Sequence, residues 1–146
     1  MQLTKTLVAA VLAASTALGA PAEGEISMMA ANIPQWTIEN LKRVCNNHNS
    51  KCVWTFGINT HLAPPTACTL KVEADTASEA SGGPANCGDF TVTSGWSGQF
   101  GPGNGFTVLS VVYNPSRLIT WPSYTDKQVQ SGQVVKPDQS YAPQRI

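Results

Sequence analysis

Chemistry in this chain would have to come from a short stock of reactive residues, and their spacing decides most of the cases. Gly95-Trp96-Ser97-Gly98-Gln99 comes within one residue of the nucleophile elbow G-x-S-x-G, with Gln99 in place of the last glycine. That elbow works by holding a serine at the turn from a strand into a helix. Here the serine leads instead into the Gly/Pro loop Phe100-Gly-Pro-Gly-Asn104-Gly. Neither His48 nor His61 stands in a context that pairs it with a carboxylate, so a serine hydrolase is disfavoured. Gly101-Pro-Gly103-Asn-Gly105 has the glycine density of a phosphate loop. It lacks a lysine and runs into an apolar strand, so the anion-binding helix end is missing. Glycines that permit a tight loop are the simpler explanation. Asp75, Glu79, Asp89, Asp126 and Asp138 are dispersed, with neither calcium-loop spacing nor a carboxylate pair for glycoside hydrolysis. No catalytic residue, cofactor or metal is assigned.

The four cysteines carry a different chemistry. Cys45 and Cys52 flank a polar turn between two strand-like runs, so a bridge across a hairpin mouth is the natural pairing. Cys68 and Cys87 are left for each other, closing a polar excursion. A zinc site from Cys45, His48, Cys52 and His61 lacks the paired C-x₂-C spacing of zinc modules. On the loop-entropy model the two bridges contribute about 2.5 and 3.3 kcal/mol. That sum rivals the net stability of an ordinary domain.

Disulfides imply an oxidising compartment, and the first 19 residues fit one. Lys5, the apolar run Leu7–Ala14 and the small residues Ala17 and Gly19 read as a secretory signal peptide, cleaved after Gly19. No other apolar run approaches the length of a membrane span, so membrane insertion is not expected. Residues 20–34 read as a flexible tail and 35–146 as a single domain. Without Lys5 the chain has 8 basic against 9 acidic residues, a net charge of −1, which argues against a nucleic-acid partner. No asparagine begins an Asn-x-Ser/Thr glycosylation signal.

The elements that must position these residues are strands. Phe106–Tyr113 is apolar on both parities and reads as a central strand covered on both faces, reversed at Asn114-Pro115-Ser116 and paired with Arg117–Trp121. Cys52–Ile58 alternates cleanly, with Cys52, Trp54, Phe56 and Ile58 on one face. In Gln35–Cys45 the apolar parity changes between Ile38 and Leu41, which a bulge at Glu39–Asn40 would reconcile, with a helical turn as the alternative. Cys68–Ala74 and Cys87–Thr93 read as half-buried strands, with Asp75–Asn86 a mobile, disordered excursion between them. Thr125 and Gln128 have capping-box spacing and Gly132 sits at a helix C-cap, so a short helical turn is expected there. Val134–Val135 could add an edge strand, and Pro137–Ile146 reads as a surface tail. The fold class is therefore all-β, a small antiparallel β-sandwich or β-barrel with one short C-terminal helical turn, stapled by disulfides. Trp36, Trp54, Phe56, Phe90, Phe106 and Trp121 are assigned to the core, and Trp96, in a polar loop, to a partner contact.

The blocks Trp96–Thr107, Arg117–Val129 and Pro137–Pro143, with the Trp36–Thr60 segment and the spacing of the four cysteines, resemble the fungal hypersensitive response-inducing proteins. These are small secreted elicitors of plant cell death and defence. The resemblance implies a secreted, apoplastic protein that acts by being recognised, without catalysis. Its partner would be a plant surface receptor or apoplastic protein. The recognition loop would contain Trp96, Ser97, Gln99, Phe100 and Asn104. The other class considered is a ligand- or glycan-binding module of the fungal wall.

Overall fold

A computed structural model describes residues 33–146. The signal peptide at 1–19 and nearly all of the tail at 20–34 lie outside the described residues. The described chain folds as ten antiparallel strands in two sheets, with one short helix.

The first sheet is built from β1 (Trp36–Cys45), β2 (Lys51–Asn59) and β3 (Thr66–Glu73), with the C-terminal β9 (Gln139–Tyr141) beside β1. In β2, alternation does what period two requires: Cys52, Trp54, Phe56 and Ile58 are buried, and the residues between them are not. The parity break in β1 is a bulge. Register shifts between Glu39 and Lys42, and Asn40 takes φ 53°. Leu41 is thereby turned inward, and so is Arg43 two residues on.

The second sheet runs β10 (Gln144–Arg145), β7 (Leu118–Thr120), β6 (Phe106–Tyr113), β5 (Phe90–Ser97) and β4 (Gly82–Cys87). The short β8 (Ser123–Thr125) also pairs with β6. The two sheets are separate and do not close on each other, so the sandwich stands and the barrel alternative falls. Their inner faces meet in a core that includes Trp36, Ile38, Trp54, Leu70, Val92, Leu109, Val111 and Tyr124. Trp36 and Phe90 pack edge to face across it, ring centroids 5.6 Å apart. Cys45–Cys52 closes the β1–β2 hairpin, while Cys68–Cys87 ties β3 of one sheet to β4 of the other. Helix α1 (Asp126–Val129) opens on a full capping box of Thr125 and Gln128, and Gly132 follows at φ 75°.

Several expectations need correction. Asp75–Asn86 is not a disordered excursion. Asn49 holds it with its backbone carbonyl on Ala77 N (2.8 Å), its side-chain oxygen on Ser78 N (2.9 Å) and its amide on Ser78 Oγ (2.8 Å). The resulting 3₁₀ turn, Ala77–Glu79, buries Ala77, and Gly82–Cys87 then pairs with β5 as an edge strand, where Pro84 is tolerated. Pro137–Ile146 is not a mere surface tail: β9 and β10 each add an edge, one to each sheet. Val134–Val135 forms no strand, and Val135 N makes a single 2.8 Å bond to the Leu41 carbonyl. β6 is central but buried on one face only. Thr107, Leu109 and Val111 point into the core, whereas Phe106, Val108, Ser110 and Val112 remain partly exposed.

Candidate functional site

The residues singled out in the Gly-rich segment fall into two groups. Trp96 is the last inward position of β5, opposite Thr107 of β6. Its indole N–H donates to both carboxylate oxygens of Asp126, at 3.2 and 3.0 Å. Asp126 is the first residue of α1, and its backbone N–H donates to the Gly105 carbonyl at 2.9 Å. Gly105 is buried in this junction, and a Cβ there would collide with the Asp126 carboxylate and the Trp96 indole. The last glycine of the G-P-G-N-G run is thus fixed by close approach. Trp96, assigned on sequence to a partner contact, is half-buried and tied to the scaffold.

Behind it lies Arg43, 6% exposed, whose Nη1 stands 3.8 Å from Asp126 Oδ1 and donates to the Ser78 carbonyl at 3.3 Å. Its guanidinium carbon is 5.8 Å from the Trp54 ring centroid. Burial pulls the Arg43 pKa below its usual value, and the neighbouring Asp126 charge works against that pull. The sequence reading missed this cluster. The signal was there, since the bulge that carries Leu41 inward carries Arg43 with it.

The rest of the loop is exposed and braced from within. Gly101 N donates to Gly98 O (3.0 Å) and Asn104 N to Gly101 O (3.1 Å). The Asn104 amide donates to the Phe100 and Pro102 carbonyls at 3.3 and 3.5 Å. Ser97 Oγ accepts from Gln99 N at 3.3 Å, a local turn bond. His61, on the first sheet's side, is hydrogen-bonded to Thr37 Oγ1 at 2.8 Å. So Ser97 and Asn104 shape the loop, while Gln99 and Phe100 face solvent. Phe100 is 65% exposed and stacks on Phe106, centroids 5.8 Å apart. Together with Asn104, Ser123, Tyr124 and Thr125 these rings line an open, largely apolar groove of about 360 Å³. Tyr124 itself is buried, and burial, then the adjacent Tyr141, raises its pKa well above the usual value.

Trp121 corrects the sequence reading in the opposite direction. β7 turns Leu118 and Thr120 inward, so the next residue falls on the outer side, and Trp121 is 45% exposed. Pro122, buried, stops the strand there. Phe106, also assigned to the core, lies on the same outer face as Val108, Val112 and, by register, Ile119. Among the described residues, no group of three or more His, Cys, Asp or Glu comes together as a metal site would require, and no helix is long and apolar enough to cross a membrane.

A family model described as Effector TSP1 matches residues 37–146. The protein named Effector TSP1 from Hypocrea virens (strain Gv29-8 / FGSC 10586) is 60% identical over 147 residues, spanning 100% of this chain and 99% of that one. The chain belongs to the Effector TSP1 family. Membership agrees with the resemblance to small fungal elicitors, and the effector family and the two disulfides are in keeping with a secreted protein. The matched region opens inside β1 and runs to the last residue. It therefore takes in both sheets, both bridges and the whole Trp96–Gly105 segment.

Proposed function

We propose that this Effector TSP1 family member is a secreted elicitor that provokes hypersensitive cell death and defence in plants by being bound, without chemistry of its own. The partner is an extracellular plant protein, either a surface receptor or an apoplastic one. The contact is centred on Phe100 and the outer face of the second sheet. The observation that carries this reading is the state of Phe100. It is held out at 65% exposure on a loop whose backbone is braced by its own hydrogen bonds, above an apolar groove. A rigid aromatic presented to solvent is the kind of anchor that dominates protein interfaces. Family membership supports an action on another organism's molecules. The leader at 1–19 and the two bridges support delivery through the secretory route to the apoplast.

Leaf infiltration with purified, oxidised protein tests the proposal. Ser97→Ala should cause cell death as strongly as the natural chain, because the hydroxyl only braces a turn. Phe100→Ala, with unchanged circular dichroism, should cut the response sharply. A Ser97→Ala variant that folds but is inert would point to nucleophilic chemistry and sink the binding account.

A further inference from the structure

A second cavity, lined in part by Arg43, lies apart from the Phe100 groove. It has a volume of about 330 Å³, within the size range of small-ligand sites. Its lining combines Arg43 and Asn49 with Ser78 from the 3₁₀ turn and Gln130–Gly132 behind α1. Arg43 is the only charged residue of that lining. Asp126 lies outside it, with both carboxylate oxygens taken by the Trp96 indole and one of them 3.8 Å from Arg43 Nη1.

A guanidinium has five N–H donors, and a buried one with a purely structural role would be expected to use nearly all of them. Here Nη1 alone is engaged among the described residues, by the Ser78 carbonyl and the long ion pair. Nε is buried and has no partner among them. Nη2 has no partner among them and is not one of the buried atoms, so it is the donor left to meet a carboxylate in the cavity. Asn49 is consumed in holding Ser78, but Gln130 and Ser131 stand exposed at the rim with polar side chains. That rim suits hydroxyl groups carried next to an acid.

We propose that this cavity binds a small hydroxylated carboxylate, of the uronic-acid class, with its acid on Nη2 of Arg43 and its hydroxyls on Gln130 and Ser131. The same chemistry is offered by the acidic sugars of a wall polysaccharide and by free hydroxy acids. The site stands apart from the Phe100 groove and does not depend on the elicitor reading.

The test is a nuclear magnetic resonance titration of the oxidised, ¹⁵N-labelled protein. It follows the Arg43 Nε–H and the amides of Ser78 and Gln130–Gly132. The ligands are galacturonic acid, trigalacturonic acid, malate, inorganic phosphate and galactose. Galacturonic acid should shift these resonances saturably and galactose should not. Gln130→Ala, an exposed change, should weaken binding by about three- to tenfold, the worth of one neutral hydrogen bond. Arg43→Gln should abolish it. A tighter trimer would support a polysaccharide source, and equal binding of malate a free acid. Silence from every carboxylate, a response to phosphate alone, or equal shifts with galactose would overturn the site. So would full binding by the Gln130→Ala variant.

Discussion

The two sheets share one inner design and differ on their outer faces. On the first sheet, most outward positions are polar or charged, among them Thr37, Lys42, Thr55, Thr69, Lys71 and Glu73, with Lys51 opposite Glu73 in register and the paired Val44 and Val53 as the apolar exception. That is the solvated face expected of half of an antiparallel sandwich. On the second sheet, the outward positions of β6 and β7 are Phe106, Val108, Ser110, Val112 and Ile119, with exposed Phe100 and Trp121 beside them. Folding alone requires only the inner faces to be apolar. An outer face that keeps its aromatics where a charge would serve solubility better is held for something other than the core. The recognition surface proposed above rests on this difference.

The largest way to break the comparison is to cut what joins the sheets. Replacing Cys68 and Cys87 with serine removes the only bridge between them among the described residues and should cost about 3 kcal/mol in urea unfolding. The corresponding Cys45/Cys52 pair, a bridge within the first sheet, should cost about 2.5 kcal/mol. If the Cys68/Cys87 pair proved neutral, packing alone would be holding the sheets together. Gly105→Ala is a sharper probe of the second sheet, because a methyl there must displace either the Trp96 indole or the Asp126 carboxylate. It should destabilise by about 1–3 kcal/mol and change the near-ultraviolet circular dichroism of the tryptophans. Thr125→Ala removes the capping box of α1 and should cost about 1 kcal/mol.

A smaller effect concerns the first sheet's edge. Asp138 accepts from Asn40 N at 3.0 Å and from Lys136 Nζ at 3.1 Å, clasping the segment before β9 to the bulge. The Asn40 backbone bond lowers the Asp138 pKa, desolvation works against it, and the Lys136 hydrogen bond and charge add to the lowering. A carboxylate with a depressed folded pKa contributes stability above its unfolded pKa, and that contribution is lost as pH falls through the folded value. Asp138→Asn should therefore lower stability at neutral pH and flatten its fall below about pH 4. An unchanged acid limb would mean that the clasp carries no energy.

How much of this could be read from residues alone depended on whether a pattern was long enough to show a period. Cys52–Ile58 gave four inward positions in a row, and the β1 bulge followed from Ile38 and Leu41 sitting on opposite parities. The capping box needs only two residues at fixed spacing, so Thr125 and Gln128 were legible too. β9 and β10 are three and two residues long, too short to alternate, and exist because each sheet edge offers unpaired backbone. The Ala77–Glu79 turn depends on Asn49, 28 residues before Ala77, and no local window contains that pairing. Trp96 and Trp121 exchanged roles for two separate reasons. The indole N–H of Trp96 found Asp126 across the loop, and Trp121 follows inward-facing Thr120 at the end of β7, which leaves it on the outer side before Pro122. Phe100 could be singled out by its place in the loop, but its exposure and its stacking on Phe106 came from the fold.

The most direct measurement compares the two outer faces in one assay. Phe100→Ser/Trp121→Ser on the second sheet and Lys71→Ser/Glu73→Ser on the first are all changes at exposed positions, and each pair should leave stability within about 1 kcal/mol of the natural protein. Dose–response curves for cell death in infiltrated leaves should then separate them. The Phe100/Trp121 variant should need at least about tenfold more protein, as loss of interface anchors predicts, while the Lys71/Glu73 variant should match the natural chain. If the two folded variants act at equal doses, or the first-sheet variant alone loses activity, recognition does not lie on the second sheet.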